Sequence, residues 1–250
     1  MVPGIADRSF NYGDGIFTTM RVSAGQLQLW PLHLKRLQLS ATKLGFASVD
    51  WALLQQQVFA AVTAPEQVVK LVLSRGEGGR GYSPAGITTP NWYISSAVLP
   101  DYSLAKQRGI YLECAALRLG IQPLLAGLKH NNRLEQVLLK LEQAEIGCDD
   151  LLVLDQQGFV TEAIAANVFF YRAGQWYTPK LINAGVAGVM REHLLSQFAC
   201  NLVQWQQHEL EQVEAMFVCN ALMGIVPVRQ LAQRALQLAP VQQLSRQLAC

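Results

Sequence analysis

Lys129 stands in Ala126-Gly127-Leu128-Lys129-His130-Asn131-Asn132-Arg133, between an apolar residue and polar amides, just ahead of a helical stretch. A lysine so placed attacks carbonyl compounds if burial lowers its pKa; otherwise it is an ordinary solvated side chain. Glu162 lies inside the strand-like Phe159-Val160-Thr161-Glu162-Ala163-Ile164-Ala165. A carboxylate there needs a partner if it points inward, and simple alternation leaves inward and outward equally open. Gly185-Val186-Ala187-Gly188-Val189-Met190-Arg191 puts glycines directly before a helix. Its free N–H groups and positive dipole end would cradle an anion, although alone the segment reads as a plain loop-to-helix junction.

Gly76-Glu77-Gly78-Gly79-Arg80-Gly81 matches the spacing of a dinucleotide-binding loop and follows a predicted strand. That motif must lead into a helix, whereas Tyr82-Ser83-Pro84-Ala85-Gly86 is turn chemistry. The favoured reading is a mobile loop that presents Arg75 and Arg80 to an anionic ligand. His33 reads as a surface or core-edge residue. Thr18-Thr19 reads as strand propensity, and the stripe Leu134, Val137, Leu138 and Leu141 as core packing.

The elements that must position these residues alternate along the chain. Pro31 opens a helix over 32–44, and Asp50 caps a second that ends near Pro65. Strands are predicted at 68–73, 92–98, 109–117, 151–154, 167–171 and 215–219, and helices from Leu134 to before Gly147 and over 190–199. The hairpin turn is Asp155-Gln156-Gln157-Gly158, and the Gln-rich tail reads as amphipathic helix. A loop at Pro100-Asp101-Tyr102-Ser103 would link two lobes, 1–103 and 109–250, in an α/β (or α+β) chain.

Composition narrows the function classes. The 250 residues are 51% hydrophobic with a net charge of +2, which excludes disorder and leaves no electrostatic footprint for nucleic acid. No apolar run approaches the ~18 residues of a membrane span, and residues 1–8 lack a secretory apolar run. Five scattered cysteines without a Cys-x-x-Cys pair, and four histidines off metal-ligand spacing, argue for reduced thiols, a cytoplasmic location and no metal.

Taken in order, several segments resemble the fold-type IV pyridoxal-phosphate enzymes, the family of branched-chain and D-amino acid aminotransferases. They are Asp7 to Thr19, His33-Leu34-Lys35-Arg36-Leu37, Ser74 to Ser83, Gly127 to Val137, Thr161 to Asn167, Gly185 to Arg191 and Cys219-Asn220-Ala221-Leu222-Met223. The Phe-Thr-Thr, Gly-Gly-Arg-Gly-Tyr-Ser, Lys-His-x-Asn-Arg-Leu-Glu and Cys-Asn-Ala-Leu-Met pieces look like the lyase branch of that family. Leu134 stands where branched-chain aminotransferases carry a tyrosine, and the stretch before Asp7 is short for the family's first strand.

The resemblance implies two α/β lobes with pyridoxal 5'-phosphate in the cleft between them, and a homodimer. It implies that Lys129 carries the cofactor and acts as general base and acid, and that Glu162 faces the pyridine nitrogen. Arg36 and the N–H groups of Val189 and Met190 would take the phosphate. Asn220 would line the same site, and Thr19 would supply a hydroxyl for proton transfer. Arg80 and Arg75 would bind a substrate with two carboxylates. The lyase branch splits an amino-cyclohexadiene dicarboxylate into 4-aminobenzoate and pyruvate; amino-group transfer on the same fold is the alternative.

Overall fold

The structure is a computed structural model that describes residues 3–248. The chain divides into two compact units: residues up to Pro100 with Leu128–Asn132, and Asp101–Gly127 with Arg133 onward. The division falls within the expected loop, between Pro100 and Asp101, and Lys129 clusters with the first unit rather than the second.

The first unit holds α1 (Arg8–Tyr12), β1 (Gly15–Ser23), β2 (Gln26–Leu27), α2 (Trp30–Lys43), α3 (Trp51–Ala60), β3 (Gln67–Ser74) and β4 (Asn91–Ala97). Its four strands form an antiparallel sheet in the order β2-β1-β3-β4. Along β1, Ile16, Met20 and Val22 are buried with Leu71 and Leu73 of β3 and with Leu37, Leu54 and Val58 of the helices. Pro31 occupies the first turn of α2 as expected, and the Asp50 carboxylate accepts from Leu53 N at 2.9 Å to cap α3.

The second unit holds α4 (Ser103–Arg108), β5 (Ile110–Leu119), α5 (Leu134–Ile146), β6 (Asp150–Asp155), β7 (Val160–Ala163), β8 (Asn167–Arg172), β9 (Gln175–Pro179), α6 (Val189–Leu195), β10 (Cys200–Val203), β11 (Ala215–Asn220), β12 (Gly224–Leu231), β13 (Arg234–Ala235) and α7 (Ala239–Gln247). These strands make one mixed sheet, β10-β9-β8-β11-β12-β5-β6-β7, with β13 beside β12. Alternation sends Val168, Phe170, Met216 and Val218 to one core, and Phe169, Phe217 and Cys219 to another under α6 and α7. Burial on both faces is why these strands read as continuous apolar runs.

Four expectations change. The link after Pro100 includes a helix, α4. The helix expected over 190–199 stops at Leu195, where a turn swings Phe198 against Phe169 and Trp176. Helix in the tail is confined to α7, because β12 and β13 occupy the residues before it. The largest change is α5: Leu134, Val137, Leu138 and Leu141 are not core but exposed, Leu134 at 78%. Only Leu139 of this helix is buried, packed against Ala115 and Leu119 of β5 and Leu151 and Val153 of β6. Glu142 accepts from Ala116 N and Leu117 N at the irregularity in β5, and Glu135 accepts from Gly120 N at 2.7 Å. Strand amides that lose ladder partners need acceptors, so the helix meets the sheet through Leu139 flanked by these two carboxylates.

Candidate active site

In the first unit, residues 129–131 run antiparallel beside the start of β1. Phe17 N donates to Lys129 O at 2.9 Å, Asn131 N donates to Gly15 O at 3.0 Å, and Ile16 bridges His130. Both glycines nearby make room for this strap. A Cβ at Gly15 would lie 2.5 Å from Asn131 Nδ2, and one at Gly13 (φ +65°) 2.1 Å from Asn132 Oδ1. With its backbone held, half-buried Lys129 places Nζ 4.5 Å from the Phe17 ring centre. Thr19 shares the Phe17 face of β1, since side chains two apart point the same way.

The opposite face of β1 carries Thr18, fully buried, whose Oγ1 accepts from Arg36 Nη2 at 2.7 Å and meets His33 Nδ1 at 2.6 Å. His33 is therefore not at the surface. Burial first, then the charges of Arg36 and Lys129, push its pKa down to about 3, so the ring is neutral. Thr18 was legible only as a strand former; its role in fixing Arg36 appears once β1 and α2 pack. Sequence spacing alone could place His33 and Arg36 on one helical turn.

Arg75 is a correction. Its guanidinium is buried, donating through Nε to Asp14 Oδ2 at 2.8 Å, through Nη1 to Gly45 O at 2.8 Å and through Nη2 to Leu44 O at 2.7 Å. A guanidinium so committed holds the end of α2 to the sheet and is removed from the substrate set. Arg80, in contrast, is exposed on the glycine-rich segment.

In the second unit, Glu162 is 4% exposed, on β7 opposite Val153, and accepts from Val186 N at 2.8 Å through Oε2. The inward alternative is the one adopted. Half-buried Arg133 adds a positive charge that interacts with Glu162, while its own pKa is lowered by burial against the pull of Glu162 and Glu135. The loop between Gly185 and α6 is tied on two sides. Gly127 N donates to Gly185 O at 2.9 Å, Ala187 N donates to Gly127 O at 3.0 Å, and Asn167 Nδ2 donates to Val186 O at 2.8 Å. Gly188 caps α6, and a Cβ there would meet Asn167 Oδ1 at 2.0 Å. The amides of Val189 and Met190 thus fall in the first turn, where helix N–H groups lack intrahelical acceptors. Asn220 uses its amide locally, accepting from Leu222 N and Met223 N and donating to Ala165 O.

The first unit holds an amine and a guanidinium, and the second holds a buried carboxylate and helix-terminal amides. No cluster of metal ligands occurs among the described residues. A fold of this kind with these groups defines a class, and the family description "Amino-transferase class IV" matches residues 15–231, so the chain belongs to that family. Within it, the chain is 40% identical over 231 residues to an aminodeoxychorismate lyase of Vibrio harveyi, spanning 90% of this chain and 85% of that protein. The crystal structure of the 4-amino-4-deoxychorismate lyase from Pseudomonas aeruginosa superposes with a TM-score of 0.91 at 36% identity, covering 98% of this chain and 95% of that one. A PLP-bound hypothetical aminotransferase from Mycobacterium tuberculosis shares the fold at a TM-score of 0.84 and 20% identity, over 98% and 90% of the two chains.

Proposed function

We propose that the chain converts 4-amino-4-deoxychorismate to 4-aminobenzoate and pyruvate with pyridoxal 5'-phosphate as cofactor, as a homodimer in the cytoplasm. The observation that carries the reaction is the 40% identity to the Vibrio harveyi lyase along nearly the whole chain. The donor set fits the cofactor. Lys129 supplies an amine for its aldehyde, Arg36 and the first-turn amides of α6 suit a phosphate, and Glu162 suits a protonated pyridine nitrogen. When bound, the cofactor supplies an electron sink beside the substrate's amine-bearing carbon.

The chain's residues then have separate tasks. Lys129 Nζ removes the proton from the amine-bearing ring carbon, and the buried Glu162 keeps negative charge where the pyridine nitrogen needs it. Thr18 holds Arg36 through the 2.7 Å bond, so the phosphate-binding guanidinium is oriented before a ligand arrives. The Thr19 hydroxyl supplies a proton to the departing enolpyruvyl group, and Asn220 shapes the turn that lines the site. Arg80 engages a substrate carboxylate. The ring becomes aromatic as that group leaves, which drives the cleavage forward. The exposed apolar face of α5 supports a dimer, because a stripe of four large apolar residues is costly to leave in water.

The test is to incubate the protein with pyridoxal phosphate and 4-amino-4-deoxychorismate and to follow both products. Equimolar 4-aminobenzoate and pyruvate, lost in Lys129→Ala together with the visible absorption of lysine-bound cofactor, is the expected result. Cofactor uptake without either product, and amino-group transfer from D-alanine instead, would reject the lyase reading.

A further inference from the structure

The segment that carries Arg80 is wrapped around a second, buried arginine. Arg8 is 3% exposed although it belongs to a five-residue surface helix, α1. Its Nη1 donates to Gly81 O at 3.1 Å and Ser83 O at 3.3 Å, and its Nη2 donates to Tyr82 O at 2.8 Å. Three successive carbonyls thus converge on one guanidinium. Its Nε donates to Asp14 Oδ2 at 2.8 Å, the same oxygen that receives Arg75 Nε. Burial would raise the Asp14 pKa, but the hydrogen bonds and positive charges of Arg75 and Arg8 together outweigh it and hold the carboxyl below its usual range.

Two aromatic rings complete the grip. Tyr12 lies under Arg8, 4.9 Å from its guanidinium carbon, and its hydroxyl accepts from Gly81 N at 3.2 Å. The Tyr82 ring packs edge-on against Tyr12 at 5.4 Å. The glycines serve this arrangement: a Cβ at Gly78 would press within 3.2 Å of Arg8 Cδ, and Gly81 turns the chain at φ +89°. The carbonyls of the turn point inward to the Arg8 guanidinium, which leaves its outer side to the exposed side chains of Arg80 and Tyr82.

We infer that Arg8 is a positioning residue for substrate selection: by clamping the carbonyls of Gly81, Tyr82 and Ser83 it fixes the turn from which Arg80 reaches a carboxylate. The inference rests on the reading of Arg80 as a substrate-binding residue, and its two halves are separately testable. A planar guanidinium gathers several carbonyls at once and a lysine ammonium does not, so Arg8→Lys keeps the charge beside Asp14 and loses the clamp.

The first measurement needs no substrate. Trypsin cuts extended, exposed chain, and the bond after Arg80 lies at the edge of the clamped turn. In Arg8→Lys, cleavage after Arg80 should quicken by roughly tenfold or more while sites elsewhere keep their wild-type rates. In the second, KM for 4-amino-4-deoxychorismate should rise roughly 10- to 100-fold while the visible spectrum of bound cofactor is unchanged. Over the same variant kcat should move by less than about threefold, since a misplaced carboxylate ligand is lost equally from ground and transition states. Should Arg8→Lys not fold, Tyr12→Phe removes only the acceptor of Gly81 N and should still speed the cut after Arg80. Unchanged cleavage in a folded variant overturns the clamp, and faster cleavage with unchanged KM overturns its link to substrate. A wild-type protein that yields no product rejects the lyase reading while the cleavage result still judges the clamp.

Discussion

At the scale of single residues, the Thr18–His33–Arg36 cluster couples a candidate phosphate ligand to protonation. His33 Nε2 is buried with no hydrogen-bond partner, and its ring stays neutral down to about pH 3. The unfolded chain takes up a proton near the ordinary value of 6.5, so below that pH the unfolded state binds more protons and the native state loses stability. The stabilisation is complete above 6.5 and falls by up to ~1.4 kcal/mol per pH unit on the way toward 3. Between pH 7 and pH 5, His33 should account for about 2 kcal/mol of lost stability. Urea unfolding of wild type and His33→Gln at both pH values should show that gap closing, whereas a pH-independent difference would contradict a neutral buried ring. None of this was visible in the chain order. Lys129, Glu162 and Arg36 announced themselves by type and motif, but the residues that hold them come from distant positions. Thr18, Val186 and Asn167 could be named only after packing, because hydrogen-bond partners follow from the fold rather than from spacing.

At the scale of elements, the segment before α6 depends on one glycine conformation. Gly185 sits at φ +84°, and a Cβ there would come within 2.7 Å of Thr161 Cγ2, 3.0 Å of Leu181 Cδ2 and 3.2 Å of Glu162 Oε2. Gly185→Ala therefore strains the backbone and pushes on the carboxylate that Val186 N holds. The expected cost is about 1–3 kcal/mol in denaturant unfolding, with weaker retention of pyridoxal phosphate on dialysis. An alanine variant that melts and retains cofactor like wild type would mean the loop relaxes freely. Local signals placed most elements well. The Asp50 cap, Pro31 in the first turn of α2, the β6–β7 hairpin and the αL glycine at Gly147 behind α5 are short-range devices that work wherever the rest of the chain goes. The failures were of a different kind. Periodicity identified α5 as a helix with one apolar stripe, and it cannot say which stripe meets the sheet. Leu139 packs on β5 and β6, while Glu142 and Glu135 accept from amides of β5 and the residue after it.

At the scale of the whole molecule, that packing leaves Leu134, Val137, Leu138 and Leu141 facing out. If this face joins two copies, Leu138→Glu with Leu141→Glu should convert a species of twice the chain mass into one of 27.6 kDa in light scattering. A double variant that keeps the dimer mass would move the interface elsewhere. No described helix is long and apolar enough to cross a membrane, so this face is not read as a span.

The sequence by itself determined the class of fold, the family and the residue types at the chemistry, because these depend on local propensity, apolar period and ordered motifs. It also singled out Lys129, Glu162, Arg36 and Arg80 as candidates. Tertiary structure alone decided what each one touches. Two arginines of the same motif stretch, Arg75 and Arg80, look alike in the chain; one is buried on Asp14 and two carbonyls, the other is exposed. The difference arises because burial and partner geometry are set by elements far apart in sequence, and a guanidinium goes wherever acceptors converge.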